Sequence, residues 1–176
     1  MPQPTAIVTG ANSGIGKATA AGLAERSFRV GMVCRSEERG RAAQREIRQQ
    51  TGSEALDLLL VDLAVQDDIR RLADEILDRY ARIDALVNNA GVYRANRERT
   101  PDGIEKTWAV NHLAYFLLTN LLLDRLKETA AAHGEARVVN VGSEAYRGAR
   151  LDLDDPNFER TRYNGMQVYA RSKLAN

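Results

Sequence analysis

Tyr169 and Lys173 stand four residues apart in the run Tyr-Ala-Arg-Ser-Lys. On a helix, that spacing puts both side chains over one face. An ammonium beside a phenol favours the phenolate, so a tyrosine in this setting can serve as a general acid or base. None of the other tyrosines has a lysine four residues on. Taken alone, the pattern also describes an ordinary surface pair.

A second candidate lies near the start of the chain, in Thr9-Gly10-Ala11-Asn12-Ser13-Gly14-Ile15-Gly16. It follows an apolar run and precedes a helical pattern. Glycines at such a turn let the backbone approach a pyrophosphate, and the free N–H groups of the following helix face the anion. The spacing is G-x-x-x-G-x-G, which differs from the usual dinucleotide fingerprint G-x-G-x-x-G.

The third candidate is the end of the second apolar run, Cys34-Arg35-Ser36. A dinucleotide fold that holds the ribose 2′-hydroxyl of NAD carries an acidic residue here. This chain has Cys34 and then Arg35. A guanidinium can pair with a 2′-phosphate that a carboxylate would repel. The expected cofactor is therefore NADP(H); the alternative is a solvated arginine in a basic stretch.

Composition excludes several other classes. Lys and Arg number 25 against 24 Asp and Glu, for a net charge of +1. Such balance gives no basic face for nucleic acid. Cys34 is the only cysteine, so neither an internal disulfide nor a cysteine zinc site is available. His112 and His133 have no partner at metal-ligand spacing, and no metal is expected. The most apolar stretch, Leu113 to Leu123, contains Thr119 and Asn120 and falls short of the about 20 residues a membrane span needs. With no leader-like start, the expectation is a soluble cytoplasmic protein.

Strands are expected at Ala6–Thr9, Arg29–Val33, Leu56–Val61, Ala85–Asn88 and Arg137–Val141. Each is nearly continuous in apolar residues, as when helices cover both faces of a parallel sheet. Between them Ile69, Leu72, Ala73, Ile76, Leu77 and Tyr80 keep the spacing of one buried helix face. Alternation of this kind means an α/β, doubly wound parallel sheet, read as a single domain over residues 1–176. A helix from about Gly103 to Ala130 is apolar almost all round in its middle, so a second covering surface is expected. Either the chain itself or a second copy in a homo-oligomer would provide it. A last helix beginning near Gly165 has no stop signal before Asn176, which predicts an end inside an element, with the far strands absent. There is no internal repeat, linker or low-complexity tract.

Together, Thr9–Gly16, Asp62-Leu63, Asn88-Asn89-Ala90-Gly91, Asn111, Ser143 and Tyr169–Lys173 resemble the short-chain dehydrogenase/reductase family, in order and spacing, over essentially the whole chain. The stretches Asn89–Asn111 and Tyr169–Asn176 look most like its retinol-dehydrogenase-like branch. The resemblance implies that Gly10, Gly14 and Gly16 shape the cofactor turn, with Ser13 and Ile15 lining it. It implies that Asp62 contacts adenine beside Leu63, and that Asn89, Ala90 and Gly91 flank the adenosine ribose. Tyr169 would exchange a proton with the substrate oxygen, Ser143 would hydrogen-bond that oxygen, Lys173 would bind the nicotinamide ribose, and Asn111 would anchor a relay water. The expected activity is hydride transfer between NADP(H) and an alcohol or carbonyl substrate, expected to be lipophilic, such as a retinoid, steroid or aldehyde. A dinucleotide-binding regulator or scaffold without turnover is the alternative. A third possibility is a shortened product that acts through association. Family members normally continue past the active-site helix, which puts the activity of these 176 residues in question.

Overall fold

The computed structural model describes residues 3–176. Five parallel strands form one sheet: β1 (Thr5–Thr9), β2 (Arg29–Cys34), β3 (Leu56–Leu60), β4 (Ala85–Asn88) and β5 (Arg137–Asn140). Their order is β3-β2-β1-β4-β5. The order reverses direction beside β1, the switch point outside which ligands bind in open α/β sheets. Helices α1 (Gly14–Glu25), α2 (Glu37–Thr51) and α3 (Gln66–Arg79) supply the crossovers between the early strands.

Strand alternation divides the core in two, because successive side chains leave opposite faces. Ile7, Leu59 and Leu86 point toward α3 and the long helix α5 (Ala114–His133), meeting Ile69, Leu72, Ile76, Leu118 and Leu122. Val8, Met32 and Val87 point the other way, onto Ala20, Ala24 and Ile47 of α1 and α2. The small alanines of α1 let that helix lie close to the sheet. Each fully buried Ile or Leu contributes about 1.5–3 kcal/mol.

Two expectations are corrected. The helix expected from Gly103 begins only at Lys106, because Gly103 turns in a left-handed conformation (φ +76°) and the Glu105 carboxylate caps Thr107 and Trp108. It then passes through a short α4 (Lys106–Trp108) and a π-helical turn, Ala109–Leu113, before α5. Within the chain, α5 is covered on one side only. Tyr115, Leu118, Leu122 and Leu126 are buried, while Phe116 is 63% exposed and Leu123 lies on the open side. Strand β5 is exposed along its whole length, with Val138 and Val139 on the surface, so helices do not cover every strand. The last helix, α6 (Gly165–Leu174), starts where expected under an Asn164 cap and closes two residues before Asn176.

Candidate active site

The carboxyl ends of β1, β2, β4 and β5 open into one cleft of about 770 Å³. The β1–α1 turn forms its floor. Gly10 takes φ +67°, and a Cβ there would stand 2.9 Å from the Ala90 Cα. A Cβ on Gly16 would collide with the Gly10 carbonyl and the Asn89 amide. Ser13 precedes α1 without capping it by its side chain. By contrast, Ser36 caps α2 and Asn164 caps α6. The first-turn N–H groups of α1 therefore have no side-chain acceptor, which is the arrangement an anionic group requires. A pyrophosphate fits this cradle.

Thr9, which opens the glycine motif without an assigned role, ties the turn to β4. Its hydroxyl accepts from the Asn89 and Ala90 N–H groups at 2.9 and 3.0 Å and donates to the Val87 carbonyl at 3.3 Å. The Asn89 side chain donates back to the Thr9 carbonyl at 2.8 Å.

At the end of β2, Arg35 is exposed and lines the cleft with Ser36 and Arg39. Neither arginine has a carboxylate partner among the described residues, whereas nearby Arg41 pairs with Glu37. Cys34 also lines the cleft but is only 2% exposed. Burial pushes its thiol up to about 11, against a smaller opposing effect of the Ala11 N–H. Asp62 and Leu63 line the same end, and Asp62 also holds the Ala64 N–H at 3.0 Å.

At the other end the cleft brings together Ser143, Tyr169 and Lys173. Ser143 follows β5 and accepts from the Ala145 N–H at 3.3 Å, which fixes its hydroxyl at the strand end. Lys173 is buried, and its ammonium donates to the Val141 carbonyl at 2.8 Å. Desolvation holds that lysine below its ordinary range. The ammonium lies 5.9 Å from the Tyr169 ring centre, as the four-residue spacing predicts.

Asn111 is close by, though its side chain is committed. Its oxygen accepts from the Val92 N–H at 2.8 Å, and its nitrogen donates to the Val92 carbonyl at 3.0 Å and the Ser172 hydroxyl at 3.1 Å. Its carbonyl receives the Asn176 amide at 2.9 Å. Asn111 therefore locks the β4 loop to α6. Tyr93 and Met166 also line the cleft, both well exposed, and no motif announced them. Tyr93 meets Tyr169 edge-on at 6.4 Å. No cluster of three or more potential metal ligands occurs among the described residues.

A glycine turn at a helix N-terminus, a basic strand end and a Tyr/Lys pair share one cleft of a doubly wound sheet, the arrangement of a dinucleotide-binding site. The short chain dehydrogenase family model matches residues 4–150, and the chain belongs to that family. It is 43% identical over 175 residues to retinol dehydrogenase 13 of Homo sapiens, covering 99% of this chain and 52% of that protein. Among solved structures it resembles the RhlG/NADP active-site complex of Pseudomonas aeruginosa (TM-score 0.76, 30% identity, 98% of this chain and 62% of that one). It also resembles a short-chain dehydrogenase from Sphingobium yanoikuyae in complex with NADPH (TM-score 0.74, 29% identity, 98% and 60%). The chain thus spans about half the length of the curated relatives it matches.

Proposed function

We propose that the protein to which this chain belongs transfers a hydride between NADP(H) and an alcohol or carbonyl substrate, with Tyr169 as the general acid/base. The observation that carries this reading is the convergence of Ser143, Tyr169 and Lys173 on one end of a cleft whose other end presents Arg35. NADP(H), when bound, supplies or accepts the hydride. The chain's own groups do the rest. The β1–α1 turn and the unpaired Arg35 receive phosphates. Ser143 holds the substrate oxygen, and Tyr169 gives it a proton in reduction or takes one in oxidation. Lys173 stands beside Tyr169, its ammonium 5.9 Å from the ring centre.

A lipophilic substrate is supported by the exposed Tyr93 and Met166 around the Tyr169 end, and by likeness to a protein named retinol dehydrogenase 13. The non-catalytic alternative gains nothing from the structure, since a pure binder has no use for a serine, tyrosine and lysine converging there.

The test is NADPH oxidation measured against retinal, keto-steroids and simple aldehydes, using the chain extended to its relatives' length beside the 176-residue form. Tyr169→Phe should cut turnover by about 10²- to 10⁴-fold while leaving NADPH affinity within about twofold. Turnover retained within a few-fold would defeat the assignment of Tyr169.

A further inference from the structure

Tyr115 belongs to none of the motifs, yet it touches both halves of the site. It follows the π-helical turn on α5 and is 3% exposed. Its hydroxyl donates to the Ala90 carbonyl at 2.7 Å, within the Asn89–Gly91 segment that packs against the glycine turn. The Lys173 ammonium lies 5.4 Å from its ring centre, closer than the 5.9 Å to Tyr169. A cation within about 6 Å of an aromatic centre is attracted by the ring's quadrupole, more strongly where water is excluded.

The surroundings of Lys173 make that contact matter. From its own helix it faces Tyr169, from α5 Tyr115, and beyond the end of β5 it faces the Val141 carbonyl. No carboxylate pairs with it among the described residues. Burial works against its charge, leaving one carbonyl and two ring faces in its favour. Burial likewise raises the Tyr115 hydroxyl far above the ordinary tyrosine range, with the nearby Tyr169 adding to it, so Tyr115 stays neutral.

We propose that Tyr115 is a positioning residue that couples the acid–base lysine to the nucleotide cradle: its ring face keeps Lys173 charged, and its hydroxyl fixes the Ala90 carbonyl. This rests on Lys173 and Tyr169 acting as the acid–base pair, but it is tested without turnover. Trace acetylation by acetic anhydride across a pH series, read by mass spectrometry, gives the titration of each lysine separately. Lys173 lines the open cleft and is within reach of so small a reagent.

Tyr115→Met fills the space without a ring and should move the Lys173 titration down by roughly half to one and a half pH units. Tyr115→Phe keeps the ring and should leave that titration in place, while weakening NADPH binding about three- to tenfold through the lost bond to Ala90. Lys17 and Lys127, remote from Tyr115, should not move in either variant. A Lys173 titration unmoved in Tyr115→Met, or moved equally in both variants, overturns the proposal. Should the Met variant fail to fold, judged by circular dichroism, Tyr115→Phe decides: unchanged NADPH affinity or a displaced Lys173 titration overturns it. Full turnover in Tyr169→Phe would instead defeat the acid–base reading and leave the labelling result standing.

Discussion

Replacing Arg35 by alanine isolates what decides between the two nicotinamide dinucleotides. A charge-assisted hydrogen bond is worth about 1.5–3 kcal/mol when well formed. Arg35 is exposed, so solvent and salt screen it, and the lower end of that range applies. About 1.4 kcal/mol corresponds to a tenfold change in affinity. The expected outcome is a roughly tenfold rise in the NADPH Kd with the NADH Kd unchanged, read by nucleotide fluorescence. Raising ionic strength should erode the preference of the parent and barely affect the variant, because the Debye length falls to about 3 Å at 1 M salt. Installing the acidic residue of NAD-binding folds at position 34 is a poorer experiment. That side chain is 2% exposed and packs beneath α2, so a carboxylate there would be buried without a partner. An NADPH-to-NADH affinity ratio within twofold of the parent in Arg35→Ala would refute the assignment of Arg35.

Two further outcomes follow from the geometry. Thr9→Val removes the acceptor of two N–H groups in a position 1% exposed, at about 1–3 kcal/mol for each unsatisfied donor, and should lower the melting temperature and weaken NADPH binding together; an unchanged melting curve would contradict it. For Tyr169→Phe, the loss in kcat should fall in the range of about 10²- to 10⁴-fold that positioned proton transfer supplies, with far-UV circular dichroism unaltered.

Much of this was legible in the sequence because parallel strands are written as apolar runs and glycine turns as glycines. The strand at Ala85–Asn88 matches to the residue, and the others match within one residue at either end. The cleft contains every cofactor residue the motifs singled out except Gly14, which belongs to the same turn. What escaped depends on long-range pairing. The late start of the helix near Lys106 is set by a buried Glu105 that caps it, receives the Tyr163 hydroxyl, and is 0% exposed. A buried carboxylate reads in sequence like any surface acid. The π-helical turn leaves no mark in hydrophobic periodicity, and Tyr115 was read only as one apolar residue in a run. That the Asn111 amide is spent on Val92 and Ser172 was likewise not legible. Apolar composition also could not say which faces of β5 and α5 are covered.

Those uncovered faces lead to the last prediction. Strand β5 ends the sheet, and its outer edge has no strand partner among the described residues. It carries Val138 and Val139, 42% and 45% exposed, and α5 adds Phe116 and Leu123 on its open side. Open edges template pairing with other chains, and contiguous apolar surface drives association. In relatives about twice as long there is further chain available to cover such surfaces; for these 176 residues alone, the available cover is another copy. The 176-residue chain is therefore expected to associate at micromolar concentration, as oligomer or aggregate, when followed by size-exclusion chromatography with light scattering. Val138→Lys with Val139→Lys should reduce that association if the β5 edge drives it, since lysines on an edge disfavour strand addition. Phe116→Ser should reduce it instead if α5 does. A monodisperse monomer across the concentration range, unaffected by any of these changes, would show that neither surface drives association in this chain.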